Sequence, residues 1–259
     1  MTKLVVTHLT RMQRGTICVA GLDVNTGRHI RPVLPGRALS AKMTAPHGGP
    51  FDMATVVDLG ETRPVPSPPE TEDHEYVAEQ VRVTLQVEPA LFWEMLDHVA
   101  RPELHDIFGT ELRMFGQAGQ RRAATGEGTG HASLGVLRPS KQLRLSYSIT
   151  RDRREVVRLE VSDCGQLLDL SVTDLRLYTD DGTRPDIERI KTLAAQLAHG
   201  ERVLLGVGLT RAFAARWTNE PLHWLQVNNL HVESDPTWRL APRPRPTLLE
   251  PPAAEAGSH

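Results

Sequence analysis

The chain has 259 residues, 39% of them hydrophobic and 24% charged, the balance of a folded protein with one large domain or two modest ones. No run reaches the roughly 18 consecutive apolar residues of a membrane span, and Lys3, His8 and Arg11 interrupt the start too early for a signal peptide, so a cytoplasmic protein with no membrane partner is expected. The net charge of −2 argues against a uniformly basic chain that coats a polyanion by charge alone.

In chain order, "KLVVTHL", "TICVAGLDV" and "RHIRPVL" read as strands, the last two joined through the turn "NTG", whose Asn and Gly tolerate positive φ. "LPGRALSAKMTAPHGGPF" is a Gly- and Pro-rich loop, "MATVVDLGE" a short strand, and "RPVPSPPETEDHE" a Pro-rich acidic connection expected in solvent. Alternation from Glu79 to Val87 predicts a half-buried strand. "EPALFWEMLDHVA" predicts a helix, with Pro89 in its first turn and Leu91, Met95 and Val99 at helical spacing, and "RPELHDIFG" a short helix ended by Gly109. Beyond the Gly-rich stretch 115–135 come further strands, "ASLGVLRP", "QLRLSYSIT", "EVVRLEVSD" and "LLDLSVTDLRLY". A helix follows in "RPDIERIKTLAAQLAHG", with an apolar stripe of Ile187, Ile190, Leu193, Ala194 and Leu197, then the strands "RVLLGVGLTR" and "HWLQVNNLHV".

Many short strands with few helices predict a mainly β fold (α+β) of the small β-barrel kind. The expected units are a first barrel with a helical extension at 1–112, a Gly-rich basic linker or loop at 113–131, a second barrel at 132–240 and a disordered Pro-rich tail at 241–259. "LVVTHLTRM" and "LLGVGLTRAF" echo each other, as do "HIRPVLPGR" and "GVLRPSK", which is compatible with a diverged duplication.

Motifs for known chemistries fail one by one. The Gly-x-Gly of "VLLGVGLTRAF" is no dinucleotide loop, because Arg211 stands where the third Gly belongs and no helix follows at once; Gly206 and Gly208 instead allow bending or close approach within a strand. "PDIERIK" places Glu188 and Lys191 on one helix face, where a nuclease would draw its acid and Glu-x-Lys from separate strands. His8, His29, His47, His223 and His231 lie in or beside strands and form a metal site only if the fold brings them together, so no metal and no cofactor is assigned. Cys18 and Cys164 are expected as buried, reduced thiols.

The charges are segregated: residues 1–45 carry +6, 46–112 carry −11, 113–154 carry +7 and 155–259 carry −4. Two basic segments can share an anion-attracting face on a near-neutral molecule, since exposed charges are screened beyond about 8–10 Å. Only Lys3, Lys42, Lys141 and Lys191 are lysine, so arginine is a compositional habit of the chain and position must single out a functional one. By that criterion Arg11, Arg14, Arg28, Arg31, Arg37, Arg138, Lys141 and Arg211, at strand ends or adjacent turns, are candidate nucleic-acid contacts. Of the rings Phe213, Trp217 and Trp224, Trp217 is the expected stacking residue, because Trp224, Gln226 and Asn228 share a strand face opposite Leu225 and Val227.

"THLTRM", "CVAGLDVNTGRHIRPVLPG", "GPF", "VLRPSK", "VGLTRAF" and "HWLQVNNLHV" together resemble the dual OB-containing family of bacterial proteins over most of residues 1–232. The resemblance implies two OB-like small β-barrels packed together and a nucleic-acid partner, and transfers Arg11, Arg31, Arg138, Lys141 and Arg211 as candidate contacts only. The expected function is binding of nucleic acid, single-stranded DNA or RNA preferred, as an accessory factor in DNA repair, RNA handling or defence, with a homodimer left open. The alternatives are an enzyme acting on nucleotides or nucleic acid between the barrels, and a scaffold whose acidic segment docks a basic partner.

Overall fold

The computed structural model describes residues 1–117, 121–140, 143–179, 182–215 and 218–240. The expected tail 241–259, Lys141 and Trp217 lie outside the described residues. The first half carries β1 (Lys3–Arg11), β2 (Thr16–Asp23), β3 (His29–Val33), β4 (Leu39–Ser40), β5 (Thr55–Asp58), β6 (Arg63–Pro64), β7 (Asp73–Glu75) and β8 (Arg82–Gln86). They form one curled sheet in the order β6-β7-β3-β2-β1-β5-β8, with β4 on the end of β2. The β2–β3 turn forms as its residues predict: Asp23 Oδ1 accepts from the amides of Asn25 (3.1 Å) and Thr26 (2.8 Å), and Gly27 takes φ +66°.

Two helices, α1 (Pro89–Val99) and α2 (Leu104–Phe108), lead to β9 (Arg113–Phe115), β10 (Arg122–Gly126), β11 (Leu134–Leu137), β12 (Arg144–Ile149), β13 (Glu155–Asp163) and β14 (Gln166–Val172). Then come α3 (Ile187–Ala198), β15 (Val203–Leu209), β16 (Phe213–Ala214) and the long β17 (Pro221–Val232). The second sheet runs β11-β15-β17-β14-β13-β12, and the first four residues of β17 also pair with β10 and β16, with β9 on β10. The chain is thus mainly β, folded as two OB-like barrels, each with its own apolar core. Among the described residues no helix is long and apolar enough to cross a membrane.

Five expectations change. On α1 the buried residues are Phe92, Trp93 and Leu96, while Leu91 is exposed, because the helix turns its aromatic face to the first core. Residues 82–86 form an edge strand with Val83 and Leu85 exposed, and the preceding Ala78–Gln80 is a 3-10 turn, so the alternation there marks an edge and not a half-buried strand. The segment expected as a linker holds β9 and β10, whose small Ala123 and Ala124 are fully buried against neighbouring strands. Leu104, Ile107, Phe108 and Leu112 pack into the second core, which therefore begins ahead of residue 112. Cys164 is exposed: with Gly165 it forms the β13–β14 turn, both at positive φ, the geometry of a two-residue hairpin.

The barrels meet where β1 crosses β17. The Leu9 amide donates to Asn229 Oδ1 (2.9 Å), Asn229 Nδ2 returns a bond to the Leu9 carbonyl (3.3 Å), and His231 Nε2 donates to the Thr7 carbonyl (3.1 Å). A β-bulge makes this possible. In the β15–β17 register Gly206 faces Asn229 and Val207 faces Val227, which leaves Asn228 as the extra residue. Leu225 and Val227 before the bulge, and Leu230 and Val232 after it, all reach the second core, so the alternation shifts by one and aims Asn229 and His231 at the first barrel. The glycines of β15 serve close approach: a Cβ on Gly206 meets His8 Nε2 at 3.0 Å, and one on Gly208 meets Asn228 Nδ2 at 2.3 Å.

Candidate nucleic-acid interface

A cavity of about 260 Å³ opens at the seam of the barrels. Strand β1 delivers Thr10, β2 delivers Cys18, β3 and the turn after it deliver Arg31 and Arg37, the end of β15 delivers Arg211, and β17 delivers Gln226 and Asn228. Apolar walls come from both halves, including Ile17, Leu39, Leu134 and Leu209.

The seam is held by the acidic segment that was expected in solvent. β7 runs parallel to β3 and sets Asp73 opposite Arg31, with which it pairs through Oδ1, while Asp73 Oδ2 accepts from Arg211 at 2.8 Å. Glu70 pairs with Arg211 at 3.1 Å and with His223 at 3.4 Å, and Glu72 accepts from the Ser133 amide and hydroxyl (both 2.8 Å). Glu70, Glu72 and Asp73 are all buried, because each neutralises or caps a group of the second barrel or of β3. Burial pushes the Cys18 thiol up, against the pull of the Arg31 and Arg211 guanidinium groups.

Beyond Arg211 the seam continues as a row of rings. Phe213, 49% exposed, packs against Trp224 (centroids 6.4 Å apart), and Trp224 packs edge-on against Phe115 (5.4 Å). The guanidinium of Arg113 lies 5.7 Å from the Phe115 ring centre. Phe115 then enters a surface groove of about 480 Å³ with Arg122, Arg158, Ser148 and Thr150. Arg158 is bound to Asp169 (2.6 Å). Partial burial and then the facing charge of Arg158 lower the Arg122 pKa, as expected of two cations sharing one groove.

The candidate residues divide sharply. Arg31, Arg37 and Arg211 converge on the cavity. Arg11 is engaged across the seam: its Nε donates to the Gly182 carbonyl and its guanidinium lies 4.6 Å over the Tyr178 ring. Arg28 is exposed beside the β2–β3 turn, away from the cavity lining, and Arg138 pairs with Asp97 (2.9 Å) in a separate groove. Arg14 sits in a 3-10 turn, Gln13–Gly15, and its side chain is outside the described set, as are Lys141 and Trp217. Trp224 is 7% exposed, so the accessible ring of this hairpin is Phe213. Arg113, Phe115, Arg122, Thr10, Gln226 and Asn228 were not singled out as contacts. Only the first three had a signal, the arginines lying within the second basic segment and Phe115 between them.

Of the histidines, His8 and His29 meet with ring centres 5.5 Å apart, whereas His47 bonds Thr44 and His223 belongs to the Glu70 pair. Among the described residues no group of three or more His, Cys, Asp or Glu has metal-site geometry. Glu188 and Lys191 pair with each other (2.8 Å) on the exposed face of α3, far from any nuclease arrangement.

No curated protein matches the chain. The model of the dual OB-containing domain matches residues 2–240, so the chain belongs to that family, an architecture that points to nucleic acid as its general class of ligand.

Proposed function

We propose that the protein binds single-stranded nucleic acid along a track that leaves the seam at Arg37 and Arg211, crosses Phe213 and Phe115, and ends in the Arg122 groove of the second barrel. The observation that carries this reading is the row of three rings Phe213, Trp224 and Phe115, with Arg211 at its seam end and Arg113 and Arg122 at the other. Guanidinium groups neutralise phosphate and release counterions, and a base stacked on an aromatic ring contributes about 1–3 kcal/mol whatever its sequence. A duplex hides its base faces, so exposed rings favour a single strand, DNA or RNA.

Titration of a labelled single-stranded oligonucleotide at several salt concentrations tests the reading. With about three phosphates neutralised, by Arg37, Arg113 and Arg122, log K falls against log salt with a slope of about −2. Phe213→Ala with Arg122→Ala lowers affinity at every salt concentration. Full affinity in that double variant contradicts the track.

A further inference from the structure

We infer that the seam cavity is a single-nucleotide pocket, which takes one base inward between the barrels and leaves its phosphate at the rim beside Arg37. The inference rests on the nucleic-acid reading and gives it a head: the strand is held by a captured end or by one extruded nucleotide.

Three observations support it. The Thr10 hydroxyl and the Nη2 of Arg31 are buried and have no hydrogen-bond partner, although both residues line the cavity. Buried donors are rarely left unsatisfied in a folded protein, and two in one cavity mark a place for a polar guest. Next, Gln226 Nε2 donates to Asn228 Oδ1 (3.0 Å), which leaves Gln226 Oε1 as acceptor and Asn228 Nδ2 as donor on one cavity wall. An adjacent amide acceptor and donor match the edge of a nucleobase, whose ring nitrogens and exocyclic groups present the complement. Finally, polarity changes with depth. Asp73 neutralises Arg31 inside, and Arg211 is committed through its two terminal nitrogens to Glu70 and Asp73. The interior thus suits an uncharged planar base between apolar walls. Arg37 is exposed at the rim and pairs with no carboxylate among the described residues, so it is the cation left for phosphate. At about 260 Å³ the cavity holds one nucleotide and not two.

The experiment is calorimetric titration of the full chain with AMP, GMP, CMP and UMP, with the corresponding nucleosides, and with inorganic phosphate. At least one nucleotide binds with 1:1 stoichiometry, more tightly than its nucleoside, and inorganic phosphate alone binds at least about tenfold more weakly. Gln226→Leu and Thr10→Val each weaken the nucleotide about tenfold, the size of one lost base-edge contact. Arg37→Ala, at an exposed position that the fold does not need, weakens the nucleotide and leaves the nucleoside unchanged. The pocket is overturned by absence of nucleotide binding up to millimolar concentration, by phosphate alone binding as well as the nucleotide, or by unchanged affinity in folded Gln226→Leu and Arg37→Ala. Oligonucleotide binding that depends on Phe213 but coexists with no mononucleotide binding sinks the pocket and keeps the track. Mononucleotide binding without oligonucleotide binding does the reverse.

Discussion

Two arginines of the first basic segment and two of the second end in opposite roles. Residues 1–45 and 113–154 carry similar charge, +6 and +7, yet Arg31 of the first is buried against Asp73 and Arg11 is tied to Gly182 and Tyr178, while Arg113 and Arg122 of the second are exposed. The difference lies in what stands opposite. The acidic segment that follows the first basic one folds back as β7 and supplies Glu70 and Asp73 at the seam. Charge counted along a sequence is therefore a poor guide to charge presented on a surface. Arginines covered by the acidic segment hold the molecule together, and those on the surface stay accessible to a ligand.

The largest expected effect breaks the first side of that comparison. Asp73→Ala leaves Arg31 buried beside no anion and releases Arg211, and removal of one partner of a buried pair costs about 3–5 kcal/mol, read as a lower urea midpoint. An equally large loss from Asp97→Ala, whose partner Arg138 is exposed, contradicts the division of roles.

Acid acts on the same seam. Burial lowers the pKa of His8 well below its usual range, that of His29 to about 4 and that of His231 to about 3, so these rings are neutral in the folded protein. The unfolded chain binds their protons from about pH 6.5 downward, hence stability is complete above that pH and falls as pH drops toward 4. The slope rises to about 1.4 kcal/mol per pH unit for each histidine. Asp52 and Asp163, which burial pushes up, act in the opposite sense and offset part of the loss. Denaturant melts from pH 7 to pH 4.5 measure it, and a flat profile contradicts neutral seam histidines.

On the ligand-facing side, Phe213→Ala and Phe115→Ala each lower oligonucleotide affinity by about 1–3 kcal/mol. The exposed Phe213 is removed with little change in melting temperature. The smallest effect is expected from Gly208→Ala, whose new methyl displaces the end of the Asn228 side chain and weakens nucleotide binding a few-fold while the fold persists. Unfolding of that variant instead places Gly208 among the residues the fold cannot spare.

Much of the architecture was legible in the chain. The Asn25-Thr26-Gly27 turn, the α3 stripe of Ile190, Leu193 and Leu197, and the strand "VLLGVGL" follow from positive-φ tolerance and from periodicity, which are local properties. The site was legible only in its arginines. Arg31, Arg37 and Arg211 were visible as strand-end cations, but Thr10 reaches Gln226 and Asn228 only because β1 crosses β17. The bulge at Asn228 leaves no periodic mark in a strand that is buried nearly throughout. The burial of Glu70 and Asp73 depends on Arg211, 138 residues from Asp73 in sequence, and no local pattern carries that.

The account's central claim is that the strand lies on the second barrel. Photo-crosslinking of a halogenated-uridine oligonucleotide, with the adducts mapped by mass spectrometry, tests it most directly. The account predicts adducts on Phe213 and on Phe115 or its immediate neighbours; efficient crosslinking confined to the β5–β8 side of the first barrel contradicts it.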